Sequence, residues 1–194
     1  MTKGRMEAFS DGVIAIIITI MVLELRVPHE ATWHALLPTR PIFLSYLMSF
    51  VYLGIYWSNH HHLLQAVEHV NGRVLWANLH LLFWLSLVPF VTAWLGENGF
   101  ASAPAALYGI VLLLAGVAYL ILASSLIALH GSDSVIATAL GGDWKGKISA
   151  LIYLVAIPLA FVRSWLACGL YVFVALLWLI PDPRIERTIE TKSE

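Results

Sequence analysis

Between Pro104 and Leu129 the chain runs 26 residues without one charged side chain. An α-helix needs about 20 predominantly apolar residues to cross the hydrocarbon core of a bilayer, and this stretch exceeds that. The rest of the chain follows the same rule. Of 194 residues, 60% are hydrophobic and only 12% are charged, against about 25% charged in soluble domains. The mean hydropathy is +0.82. That much apolar surface cannot be hidden in a core of this size, so lipid must be the solvent. The expected fold class is an all-α membrane protein.

Taken in order, the chain divides into six candidate spans. The first apolar run, Gly12 to Leu23, is 12 residues long and must borrow from its polar flanks to cross. Pro28 ends it, because proline disfavours helix in the residue before it. Later spans are expected at about Pro41–His62, Val74–Leu95 and Pro104–Leu129. Ile148–Val162 and Ser164–Ile180, runs of 15 and 17 residues parted by Arg163, read as a helical hairpin, with one interfacial segment as the alternative. The expected organisation is a six-helix transmembrane domain over 1–181 and a cytoplasmic tail over 182–194. Glu7 and Asp11 precede the first run where a signal peptide would be basic, so the first helix is expected to stay in the mature protein.

Six spans put both termini on one side. With that side cytoplasmic, inner segments hold Lys3, Arg5, Arg73, Lys145, Lys147, Arg184, Arg187 and Lys192, and outer ones only Arg26, Arg40 and Arg163. Cytoplasmic loops carry the excess of Lys and Arg, so a multi-pass protein of the cell membrane with both termini inside is expected. The net charge of −1 supplies no field for nucleic acid, and no such partner is expected. Cys168 is the single cysteine, so no intrachain disulfide forms. No GxGxxG, GxxxxGK, HExxH or CxxC motif is present, and neither an enzyme activity nor a cofactor is expected.

The first helix carries the most chemistry. Ile16, Ile20 and Leu23 stand at i, i+4 and i+7 and share one face, with Thr19 beside them. Two readings stay open on periodicity alone. One is a helix–helix packing seam, common in membranes. The other is a hydrophobic constriction, in which branched side chains from several subunits narrow a pore until it dewets. Isoleucine is stiff at χ1 and would hold the bore constant. One copy cannot enclose a pore, so the second reading requires a closed ring of subunits with the first helix innermost.

Below that stripe, Arg5, Ser10 and Asp11 lie at the cytoplasmic end. The second helix runs inward and the third outward, which brings His60 and Asn78 to the same level, with Trp57 one turn away. Buried polar groups need partners. An Arg–Asp pair with hydroxyl, imidazole and amide neighbours would provide them; an interfacial cluster wetted by headgroups is the alternative. His60-His61-His62 does not make a metal site, since consecutive helical residues point about 100° apart.

Arg5-x-x-x-Phe9-Ser10-Asp11 resembles the RxxxFSD signature of the transmembrane protein 175 family, the endosomal and lysosomal potassium channels and their prokaryotic homologues. Trp57-x-x-His60, Asn78-Leu79 and Pro89-Phe90 add to the match. The resemblance implies a potassium-permeable cation channel whose first helix lines the pore. It implies a single six-helix repeat of the prokaryotic type, assembled as a homotetramer in the lipid bilayer and passing potassium and other monovalent cations. It implies an apolar constriction in place of a TVGYG filter, starting at Ile16 and continuing through Ile20 and Leu23. It assigns a selectivity role to Thr19, and a role in tying the first helix to the second and third to Arg5, Phe9, Ser10, Asp11, Trp57, His60 and Asn78.

Two other functions compete. A secondary transporter of ions or small solutes would usually show internal repeats and broken helices; no repeat is visible, and Pro89 and Pro158 are the mid-span breakers. A membrane enzyme or metal protein would have to use the histidine run.

Overall fold

A computed structural model describes residues 2–131, 133–140 and 143–179. The tail expected over 182–194 lies outside the described residues. All regular structure among them is helical: α1 (Lys3–Val22), a short 3₁₀ turn (Trp33–Leu36), α2 (Arg40–Gln65), α3 (Gly72–Ser86), α4 (Val88–Glu97), α5 (Ser102–His130), α6 (Val135–Leu140) and α7 (Trp144–Leu179). Among the described residues, four stretches are long and apolar enough to cross a membrane: α2, α3 with α4, α5, and α7.

Three departures from the expected layout have local causes. The span expected over 74–95 is two helices that break at Leu87. Pro89 follows at the start of α4 and has no N–H to give the carbonyl of Leu85. The loop expected over 130–147 contains the six-residue α6. Helix α7 is not one rod. At Arg163 the backbone leaves the helical region (φ −150°, ψ 93°), and the chain doubles back. Trp178 Nε1 donates to Ser149 Oγ at 2.9 Å, whereas 29 residues of straight helix would hold them roughly 43 Å apart. The two arms are therefore antiparallel, with the reversal at the residue that parts the two apolar runs.

Helix α5 sits at the centre, against α3, α4 and α7. Its buried face carries Ala105, Ala115, Ala118 and Ala123, and α7 meets it with Ala156, Ala160 and Ala167. Small residues let helices approach closely, and close packing is what holds helices together where no hydrophobic drive exists. Gly109 of α5 lies against Tyr171, whose Cζ would be 2.7 Å from a Cβ at that position. Gly96 of α4 faces the α2 backbone in the same way, with Ile42 Cα 2.7 Å from an added Cβ.

The buried hydroxyls are spoken for. Tyr52 donates to the carbonyl of Tyr171 (2.6 Å) and Tyr153 to Tyr52 (3.1 Å), while Tyr171 donates to the carbonyl of Ala105 (3.1 Å). Ser49 lies 3.0 Å from the Tyr108 hydroxyl and 2.6 Å from that of Thr92, which donates to the carbonyl of Val88 at 2.6 Å. With no water at that depth, each polar atom must find such a partner.

Candidate functional site: the two faces of the first helix

Helix α1 has a covered face and a bare one. Met6, Ser10, Ile14, Ile17 and Met21 recur every three or four residues and are buried against α2, α3 and α4. On the other side Phe9, Ile16, Thr19, Ile20 and Leu23 are exposed. Ile14 is 1% accessible, while Ile16 is 58% and Leu23 79% accessible. A single subunit thus packs one apolar stripe and leaves a second, continuous with Arg5 and Gly12, uncovered. Thr19 Oγ1 donates to the carbonyl of Ile16 at 2.9 Å. Its proton is committed to the helix, and its lone pairs remain free to accept.

The polar end of the covered face is a relay across three helices. His60 Nε2 donates to Asn78 Oδ1 at 2.7 Å, Asn78 Nδ2 donates to Ser10 Oγ at 2.9 Å, and Ser10 Oγ donates to the carbonyl of Met6 at 2.8 Å. All three side chains are buried. His60 Nδ1 and His62 Nδ1 are buried and have no hydrogen-bond partner among the described residues.

A second set of contacts runs up the outside of the α1–α2 interface. Trp57 Nε1 donates to Asp11 Oδ1 at 3.0 Å. One turn on, His61 Nδ1 lies 3.3 Å from Glu7 Oε1, while its Nε2 is 2.9 Å from Gln65 Nε2. A turn further, Lys3 Nζ donates to the carbonyl of Val67 at 2.9 Å. The partner numbers fall on one helix as they rise on the other, which is the register of an antiparallel pair. At the far end Arg26 Nη2 binds Glu97 Oε1 at 2.7 Å, tying the segment that follows α1 to the end of α4.

The structure brings together Ser10, His60 and Asn78 in one network and Asp11 with Trp57 in another. The expected Arg–Asp pair does not form. Arg5 is exposed and makes no hydrogen bond or ion pair with the described residues. Six residues separate it from Asp11, which turns the two side chains roughly 120° apart around the helix. Phe9 is likewise exposed, on the bare face. Lys3, Glu7 and His61 were missed as partners; the four-residue spacing of Glu7–Asp11 and Trp57–His61 on facing helices is the signal that reveals them. Among the described residues no group of three or more His, Cys, Asp or Glu is placed to hold a metal ion.

A potassium channel of Chryseobacterium sp. (strain P1-3) is 54% identical over 190 residues, covering 98% of this chain and 99% of that protein. The chain belongs to the TMEM175 family. The family described as "Endosomal/lysosomal potassium channel TMEM175" matches residues 5–89, a segment that contains the bare stripe, the relay and the Trp57–Asp11 contact. It is a family of channels and not of enzymes. A crystal structure of a lysosomal potassium-selective channel TMEM175 homologue from Chamaesiphon minutus superposes with a TM-score of 0.77, at 30% identity, over 92% of this chain and 96% of that one. The human endosomal/lysosomal proton channel TMEM175 is 32% identical over 116 residues, 54% of this chain but 23% of the human protein. The chain is thus a multi-pass membrane protein of a cation-channel family.

Proposed function

We propose that four copies of this chain form a ring around a central pore, with α1 innermost, that passes potassium and other monovalent cations down their gradient. The observation that carries this reading is the bare stripe of α1. A helix wedged against α2, α3 and α4 on one side still presents Ile16, Thr19, Ile20 and Leu23 on the other. In the ring these residues face the axis, and Ile16, Ile20 and Leu23 form apolar collars that close the bore to ions by dewetting. Thr19 contributes hydroxyl oxygens that replace part of a cation's hydration shell, and no TVGYG segment is needed. The bacterial relatives named as potassium channels support potassium as the permeant ion.

On this reading the chain makes six crossings, the last two being the arms of α7, with both termini cytoplasmic in the cell membrane. Arg5, Phe9, Ser10 and Asp11 form the inner mouth. Ser10 and Asp11 fix α1 to its own subunit, and Arg5 and Phe9 are left to meet a neighbour.

Potassium flux into liposomes tests the reading. Ile16→Asn or Leu23→Ala is expected to raise the flux or alter the potassium/sodium preference. Unchanged flux and preference in both would remove α1 from the pore. A secondary transporter is the other reading, and the break at Leu87 with Pro89 is the observation that favours it, because broken helices mark transporter sites. Obligatory coupling of flux to protons would decide for it.

A further inference from the structure

Away from α1, helices α2, α5 and α7 enclose a cleft that the conduction reading does not use. Tyr56, Tyr119, Tyr153 and Trp178 supply aromatic wall, Leu113 and Val117 aliphatic wall, and no residue of α1 lines it. It holds about 70 Å³, by a measure in which one water needs roughly 10–15 Å³. The space is therefore larger than a structural water requires.

The polar groups gather at one end, where α2 finishes and α7 begins. Asp143 lines the cleft there. Its Oδ1 accepts from the Gly146 amide at 2.9 Å, and its other oxygen has no hydrogen-bond partner among the described residues. Asn59 stands at the same end. Its Nδ2 is spent on the carbonyl of Ile55 at 2.9 Å, which leaves its Oδ1 free to accept. The Tyr119 hydroxyl donates to the Asn59 carbonyl at 3.3 Å, so it too keeps lone pairs. The free valences at this end are acceptors, one of them a full negative charge; the Ser149 hydroxyl, which accepts from Trp178, is the donor left on the lining, and no Lys, Arg or His is among the described lining residues.

Charge complementarity calls for a cation, and the walls say which kind. A bare alkali ion would lose its water to carbon on most sides. An organic ammonium keeps its charge beside the carboxylate and is attracted to aromatic faces, while its alkyl part covers the aliphatic wall. We infer that the α2–α5–α7 cleft binds an amphiphilic ammonium, with the head at Asp143 and Asn59 and the alkyl chain along Leu113 and Val117. The same chemistry is offered by an aminophospholipid headgroup and by a soluble alkylamine.

Equilibrium dialysis of labelled hexylammonium against the full chain in dodecyl maltoside tests this without any flux measurement. It stands or falls independently of the channel reading. The ammonium is expected to bind about tenfold tighter than hexanol, the advantage of a charge-assisted contact. Asp143→Asn, which keeps an acceptor for Gly146, is expected to abolish that advantage. Gly116→Val is a second, independent variant. Gly116 lines the cleft and a Cβ there meets only the Tyr56 hydroxyl at 3.8 Å, so a larger side chain fills the space and is expected to lower binding of both ligands. Displacement by added phosphatidylethanolamine but not phosphatidylglycerol would assign the site to a lipid headgroup; displacement by propylamine alone would assign it to a soluble amine. Equal affinity for hexanol, or undiminished ammonium binding in both variants when each melts like the parent, overturns the proposal.

Discussion

Asn78 stands between His60 and Ser10, accepting from one at 2.7 Å and donating to the other at 2.9 Å. It is the single side chain that joins the second helix to the first through the third. Asn78→Ala strips His60 of its acceptor and Ser10 of its donor inside a buried interface. A buried group left without its partner costs about 1–3 kcal/mol. Thermal melting in detergent is expected to fall by several degrees. Ser10→Ala should cost less, because it leaves one buried donor, Asn78 Nδ2, without its acceptor, whereas Asn78→Ala strips two groups of their partner. Equal melting of the Asn78→Ala protein and its parent would show that the relay is not structural.

The two faces of α1 predict opposite responses to the same substitution. Ile14→Asn places an amide in a covered site, 1% accessible, with no partner prepared for it. A loss of about 2–5 kcal/mol is expected from the deleted packing alone. Ile16→Asn lies on the bare face, where substitutions away from special features stay within about 0.5 kcal/mol. Comparing the melting of the two proteins checks the assignment of faces before any flux is measured.

Gly109→Ala is expected to destabilise the α5–α7 contact. The new methyl would meet the Tyr171 ring, which cannot retreat freely because its hydroxyl is held by the Ala105 carbonyl at 3.1 Å. Overpacking of this kind costs about 1–3 kcal/mol, read as a lower melting temperature. Tyr171→Phe in the same protein should recover part of the loss, since the hydroxyl is the atom in the way.

Arg5→Ala should leave the subunit's own stability unchanged, because the guanidinium contacts nothing described within it. If Arg5 serves the junction between copies, native mass spectrometry of the variant will show fewer tetramers at the same protein concentration. A full complement of tetramers would leave Arg5 without an assembly role.

Much of this was legible in the sequence because lipid simplifies the reading. A charge-free run such as Pro104–Leu129 can only be a buried or lipid-facing helix, and the structure places α5 over it. The meeting of Ser10, His60 and Asn78 was legible from the alternating direction of successive helices, which fixes their levels without any contact being known. The Arg–Asp pairing failed for a reason also present in the sequence: a separation of six turns the two side chains to different sides of α1. The position of the α3–α4 break was not legible. Pro89 announces a lost hydrogen bond, but whether a helix bends or stops there depends on what packs around it. Helix α6 is too short to show a period. The cleft at Asp143 was also hidden, because its lining comes from three helices far apart in the chain.

The bare stripe of α1 has one further consequence. In water, an uncovered row of isoleucine and leucine would drive subunits together and would mark a lone one as defective. In acyl chains it does neither, since hydrocarbon is as good a neighbour as another helix. A solitary subunit is therefore content in the bilayer. What it lacks is settled at the polar end, where the Arg5 guanidinium meets no counter-charge among the described residues of its own chain.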